Sequence, residues 1–302
     1  LSGIPLQPLF EELQQHELLI HDMDYDLRIL RRAGLSGVGT VFDTMLAARL
    51  TGSREFGLAA LLKQHFGIVI GKGSQKADWA RRPLTPQMAE YATNDTRHLP
   101  ELATRLEAEL RRLDRWNWFT QSCEKARDNT LVQRERNNDE LWRIPGSDAL
   151  RGKEAAVLRA LWGWRDGEAR QVDRPPFHVM RNELMIMAAQ SLAARSTAEI
   201  PHLTGRRRML FMEAAEKALA LPEDAWPERR LRTQQRLTGA EERRVTELKR
   251  IRDTAANQLQ IEPALIAPRS MLEALATDPE SATARLLPWQ RQLLHPSCEP
   301  GA

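Results

Sequence analysis

The sequence predicts an α/β layer followed by two all-helical domains. A short apolar run, Leu18-Leu19-Ile20, gives way to polar residues and then a helical pattern, and Val41-Phe42-Asp43 is followed by another over Thr44 to Leu50. Strands that alternate with helices mark a mixed layer. Beyond residue 148 the chain reads as polar-faced helices throughout. A shift of 87 residues within that half pairs Glu154 with Glu241, Leu161 with Leu248, Arg165-Asp166 with Arg252-Asp253 and Pro176 with Pro263. Apolar positions agree under the same shift (Leu158 with Val245, Val179 with Ile266, Leu184 with Met271), which predicts two copies of one small helical domain.

Taken in order, Leu6, Leu9, Phe10 and Leu13 form a helical stripe. Leu18 to Ile20 reads as a buried strand. A helix begins near Asp24, where acids suit the positive end of the helix dipole. Val41 to Asp43 is the second strand and Thr44 to Leu50 a helix. Leu58 to Phe66 is a helix that Gly67 stops. Residues 71–83, with Gly71, Gly73 and Pro83, read as a loop. Thr85-Pro86 starts the next helix with a cap and a proline at its first position. Residues 100–115 continue as a charged helix. The polar stretch 126–148, closing on Pro145-Gly146-Ser147, reads as a linker. The expected domains are therefore 1–125, 149–228 and 229–302.

Composition narrows the class. The 302 residues are 42% hydrophobic and 28% charged, enough for packed cores in two or three domains. Net charge is only +3, but residues 201–260 carry 13 basic against 9 acidic side chains, while 1–100 are balanced at 11 each. The two cysteines, Cys123 and Cys298, stand far apart, which excludes a disulfide framework or zinc cluster and fits a reducing, cytoplasmic setting. No apolar run reaches a membrane span, and acids and prolines interrupt any signal peptide. The chain opens at Leu1 rather than Met, which we read as a loss of residues at the front.

The chemistry lies in two acidic segments. Tyr91 and Asp95, in Tyr91-Ala92-Thr93-Asn94-Asp95, fall one helical turn apart on one face. His21-Asp22-Met23-Asp24-Tyr25-Asp26 lies upstream. Carboxylates beside a phenol suit a hydrolase that binds a hard cation and positions water. Asp22 and Asp24 read as solvated or capping, Asp43 as bonded within the fold or touching substrate, and His21 and His98 as structural. Trp79, Trp162 and Trp164 read as packing residues, and both cysteines as inert.

Together these segments resemble the ribonuclease D family, 3′-to-5′ exoribonucleases of the DEDD superfamily with tyrosine in the third motif. His21 to Leu27 resembles the second exonuclease motif and Tyr91 to Asp95 the third. Val41-Phe42-Asp43-Thr44 and Gln75 to Thr85 also look like this family. The helical copies resemble HRDC domains, and Pro288-Trp289-Gln290 resembles the end of the second. The resemblance implies an incomplete ribonuclease H-like exonuclease domain and then two HRDC-like domains. It implies Asp26 and Asp95 as metal ligands, and Tyr91, with both, as catalytic. Two Mg²⁺ or Mn²⁺ ions would serve hydrolysis. The implied partner is RNA, with tRNA precursors the expected substrate and nucleoside 5′-monophosphates the product. No membrane and no obligate protein partner are implied. Gln75, Lys76, Arg81, Arg82, Arg206, Arg207 and Arg208 are candidate RNA contacts.

One departure matters. The family's first motif, an Asp-x-Glu on the first strand, does not precede Asp26, where the earlier acids are Glu11, Glu12, Glu17, Asp22 and Asp24. The chain is therefore expected to bind metal weakly and cut poorly. The competing readings are a non-catalytic RNA-binding protein derived from such a nuclease and a DNA-directed exonuclease.

Overall fold

A computed structural model describes residues 4–70, 77–132, 140–196, 200, 203–228 and 237–294. The chain forms two compact units, one of Leu1–Gln133 with Arg236–Ala302, the other of Arg134–Gln235.

The first unit opens with α1 (Gln7–Gln15), β1 (Leu18–Ile20), α2 (Met23–Arg32), β2 (Val41–Asp43) and α3 (Thr44–Thr51). β1 and β2 pair in parallel, Leu18 opposite Val41 and Ile20 opposite Asp43. A parallel pair needs a crossover, and α2 supplies it. The strands are apolar on both faces because helices cover them, as parallel sheets require. Then come α4 (Leu58–Phe66), α5 (Pro86–Arg97), α6 (Leu99–Arg112) and α7 (Trp116–Asn129). In α6, Leu99, Leu102, Leu106 and Leu110 recur at helical spacing and are buried, while its Arg and Glu side chains pair on the outer face.

The end of the chain completes this unit. α12 (Gly239–Leu259), α13 (Pro263–Ile266), α14 (Arg269–Thr277), α15 (Pro279–Ala284) and α16 (Pro288–Leu294) share one hydrophobic core with the α/β segment. The second helical copy is thus packed onto the α/β layer rather than standing apart. Polar ties reinforce the apolar contact. The buried Arg115 guanidinium donates to the carbonyls of Leu50 and Leu259, each at 2.7 Å. Arg49 pairs with Glu262 at 2.6 Å. Gly52 ends α3 at φ 91°, where a Cβ would stand 2.6 Å from the Gln260 carbonyl oxygen, so this close approach needs glycine.

The second unit is a helical domain with its own core, made from α8 (Gly152–Gln171), α9 (Pro176–Val179), α10 (Asn182–Ala193) and α11 (Gly205–Leu219). Of the segment 126–148 read as linker, residues up to Asn129 continue α7, while Trp142 and Ile144 are buried in this second core. Both are large apolar side chains, and burial of each is favourable by roughly 2 kcal/mol.

The internal repeat is built into the backbone. Helices α8 and α12 begin at 152 and 239, α9 and α13 at 176 and 263, α10 and α14 at 182 and 269, each pair 87 residues apart. Arg165 donates to the Met180 carbonyl at 3.0 Å, and its counterpart Arg252 donates to the Ala267 carbonyl at 3.0 Å. Each arginine closes the short helix that follows it. Asp173 and Gln260, also equivalent, both take the left-handed conformation, at φ 49° and 54°.

Candidate active site

Asp43 organises the ground beneath the site. It is buried at the end of β2, and its carboxylate accepts four backbone N–H groups. Those of Met45 and Leu46 (2.9 and 3.2 Å) begin α3, and those of Asp22 and Met23 (3.1 and 3.0 Å) begin α2. One carboxylate therefore satisfies orphan donors of two helices. Asp22 caps α2 in the left-handed region, φ 72°, without a side-chain cap bond. The bonds to Asp43 hold that conformation. Of the two readings for Asp43, bonding within the fold is the one this geometry supports.

His21 is fixed beside it. Thr44 Oγ1 donates to the Ile20 carbonyl at 3.1 Å and lies 2.9 Å from His21 Nδ1. The hydroxyl proton is committed to Ile20, so Nδ1–H donates to Thr44, leaving Nε2 as acceptor. Burial lowers the His21 pKa, although Asp43 and Asp22 pull it upward, so the ring is neutral at pH 7.

Tyr91 and Asp95 come from α5. Thr85 caps that helix by accepting the Met88 N–H at 3.3 Å, with Pro86 at its first position, as the sequence predicts. Both side chains line a cavity of about 920 Å³ with Asp26 from α2 and His21. Leu19, Phe56, Leu58, Ile70 and Leu99 make its apolar wall, and exposed Arg54 and Glu55 stand at its rim.

Burial dominates the electrostatics of both carboxyls. Desolvation raises the Asp26 pKa, and Asp22, Asp43 and Asp95 raise it further. Desolvation also raises Asp95. The Tyr91 phenol is pushed up by desolvation and by Asp95, so it keeps its proton at neutral pH. The Trp79 ring lies 5.9 Å from that of Tyr91 and packs beside it.

Thus Tyr91, Asp95 and Asp26 meet at one cavity. The oxygen-only donors suit a hard divalent cation, whose charge would offset the burial that raises both carboxyls and the neighbouring carboxylates that add to it at Asp26. Among the described residues no three His, Cys, Asp or Glu side chains converge as a metal site, so Asp26 and Asp95 fit such an ion as part of a ligand set.

The candidate RNA contacts are scattered. Gln75 and Lys76 lie outside the described residues. Arg81 and Arg82 are exposed, and Arg82 donates to the Trp79 and Arg81 carbonyls. Arg206 and Arg208 are exposed on α11. Arg207 is engaged, pairing at 3.0 Å with Glu168, whose side chain is 8% exposed. Asp24 pairs with Arg28 on the surface, His98 packs near Phe66, and Trp164 meets Phe211 edge-on. The wall from Arg54 to Gly57, with Ile70, was not foreseen. It carries no motif and reaches the cavity only through tertiary packing.

Comparison with known proteins gives the family. Residues 4–111 match a family model described as 3′-5′ exonuclease, and 154–206 match the HRDC domain model. Ribonuclease D of Xanthomonas oryzae is 30% identical over 272 residues, covering 86% of this chain and 71% of that protein. The chain belongs to the ribonuclease D family. Ribonuclease D of Pseudomonas paraeruginosa is 31% identical over 232 residues, 74% of this chain and 61% of its own length. The chain thus spans less than two thirds of that relative, and 48% of ribonuclease D from Sphingobium indicum.

Solved structures share the fold. A protein from Bifidobacterium adolescentis superposes with a TM-score of 0.79 at 22% identity, over 97% of this chain and 80% of that one. Escherichia coli RNase D, described as an exoribonuclease involved in structured RNA processing, gives 0.64 at 21%, over 98% and 84%. Among the described residues no helix is long and apolar enough to cross a membrane.

Proposed function

We propose that this protein is a 3′-to-5′ exoribonuclease of the ribonuclease D type that trims RNA 3′ ends, tRNA precursors among them, to release nucleoside 5′-monophosphates in the cytoplasm. The observation that carries this reading is the meeting of Tyr91 and Asp95 on α5 with Asp26 on α2 at one cavity.

Asp26 and Asp95 would hold divalent cations, Mg²⁺ or Mn²⁺, as two of the family's four carboxylates. When bound, such ions stabilise charge on the leaving oxygen and lower the pKa of water. The chain's own groups do the rest. The protonated Tyr91 hydroxyl orients the attacking water by hydrogen bonding. The apolar wall of Phe56, Leu58 and Leu99 receives the terminal base and excludes bulk water. Arg54 at the rim offers a cation to the penultimate phosphate. The cavity has the volume of a small-ligand pocket rather than a long groove, which suits one nucleotide entering at a time. Arg81, Arg82, Arg206 and Arg208 would contact the RNA backbone without reading sequence.

The test is metal-dependent release of nucleoside 5′-monophosphates from an RNA 3′ end. Asp95→Ala should abolish it. A mutant that cuts as well as its parent overturns the site.

A further inference from the structure

His21 uses one ring nitrogen inside the fold and leaves the other open. The residue follows β1 directly, and β1 is held in register with β2, so the ring stands on a fixed base. On the inner side Nδ1–H donates to Thr44 Oγ1 at 2.9 Å, and that hydroxyl donates in turn to the Ile20 carbonyl at 3.1 Å. The donors run one way, from imidazole to hydroxyl to carbonyl, and they fix both the tautomer and the tilt of the ring. Nε2 therefore carries a lone pair and no proton. Among the described residues nothing donates to it, yet it is not sealed in protein, because His21 lines the catalytic cavity.

The other polar side chains of that cavity have tasks of their own. Asp26 and Asp95 face cations, and Tyr91 faces the attacking water. Arg54 and Glu55 stand at the rim, and Thr96 Oγ1 donates to the Thr93 carbonyl of its own helix at 3.3 Å. An uncharged acceptor beside two carboxylates has a narrow choice of ligand. A hard cation prefers the carboxylate oxygens, and a phosphodiester offers acceptors only. The donors that every nucleotide offers, whatever its base, are the hydroxyls of its ribose. The terminal ribose carries two, and both lie close to the scissile phosphate.

We propose that His21 Nε2 accepts a hydrogen bond from a hydroxyl of the terminal ribose, so that His21 selects the sugar at the RNA 3′ end. The base then falls to the apolar wall of Phe56, Leu58 and Leu99, the phosphate to the cations, and the sugar to His21. A site built to bond a hydroxyl rejects a ligand that lacks it, because the acceptor gives up water and gains no partner. The 2′-hydroxyl is what separates RNA from DNA, and the 3′-hydroxyl marks an unblocked end. The inference rests on the exoribonuclease reading for the entry of the terminal nucleotide into this cavity.

The test is an NMR titration of the 302-residue chain, labelled with ¹⁵N-histidine, at pH 8 in Mg²⁺. The ligands are adenosine 5′-monophosphate, which cannot be shortened, and its 2′-deoxy and 3′-deoxy analogues. His21→Phe assigns the resonances of His21 among the seven histidines. Nε2 reports the donor beside it, so its resonance should differ between the complex with AMP and that with the analogue lacking the donor. Nδ1, tied to Thr44, should be the same in both. That analogue should also bind roughly 3–10-fold more weakly than AMP. Weakening by the 2′-deoxy form assigns selection of RNA over DNA, and weakening by the 3′-deoxy form assigns selection of an unblocked end. His21→Phe should bind all three ligands alike, a levelling that damage to the fold would not give. If that variant does not fold, the three complexes of the parent decide by themselves. An Nε2 resonance that is the same in all three, or AMP that does not bind, overturns the proposal. Such a failure would leave Asp95-dependent cleavage intact, whereas failure of the nuclease reading would show as RNA never shortened with the hydroxyl-dependent Nε2 signal unchanged.

Discussion

The Asp43 carboxylate accepts the backbone N–H of Met23 at 3.0 Å, and through that bond the end of β2 fixes the first turn of the helix bearing Asp26. The same carboxylate starts α3. Position and stability in this region therefore depend on one buried group.

Asp43→Asn is the sharpest test of that dependence. The amide keeps one acceptor oxygen and turns an NH₂ toward N–H groups that need acceptors. With the amide oxygen kept under the Asp22, Met45 and Leu46 N–H groups, the buried Met23 N–H is left unmatched, at a cost of about 1–3 kcal/mol. Chemical denaturation should show that loss, and any surviving cleavage should have weaker metal affinity because Asp26 has moved. Parent-like stability and metal dependence would remove Asp43 from the account.

Tyr91→Phe separates positioning from folding. The phenol is partly exposed and its ring packs near Trp79, so the variant should melt as the parent does. The loss of a water-orienting hydroxyl should lower kcat by roughly 10²-fold, with KM little changed. An unaltered kcat would reassign Tyr91 to packing.

The raised pKa values of Asp26 and Asp95 carry a sign for stability. A carboxyl whose folded pKa exceeds its unfolded value gives stability that is fully present below the unfolded pKa and lost as pH rises through the folded one. Asp26→Asn, which mimics the neutral form, should therefore raise Tm at pH 7 and have little effect at pH 3. The gain is modest because the side chain reaches solvent. A drop in Tm at pH 7 contradicts this balance of charge.

Burial pushes the Cys123 thiol up to about 12. It should resist iodoacetamide at pH 8 until the protein unfolds, since only thiolate reacts. Peptide mapping with and without denaturant reads the difference, and labelling of the folded protein would show that this part of the core opens readily.

Much of the fold was legible because local signals and tertiary packing agree. Thr85-Pro86 announces α5 through a cap and a first-position proline, and the register of Tyr91 with Asp95 follows. The repeat was legible because Arg165 and Arg252 each serve the carbonyl 15 residues on. The packing of the second copy onto the α/β layer was not. It depends on Arg115 reaching carbonyls 65 and 144 residues away, which leaves no periodic trace. Arg207 looked like a phosphate ligand in its run of three arginines, and only the buried Glu168 shows what engages it. The wall contributed by Arg54 to Gly57 was hidden for the same reason, since a loop's place in a cavity is set by the elements around it.

The central claim is that Tyr91, Asp95 and Asp26 form part of an exonuclease centre. The most direct measurement is mononucleotide release from a 3′-labelled tRNA precursor with Mg²⁺ or Mn²⁺. It would compare this chain and a version extended upstream to include an Asp-x-Glu strand, each with and without Asp95→Ala. The account predicts release of nucleoside 5′-monophosphates by the extended protein, far less by the 302-residue chain, and none by the Asp95 variants. Release that survives Asp95→Ala, or RNA that is bound and never shortened by either version, would contradict it.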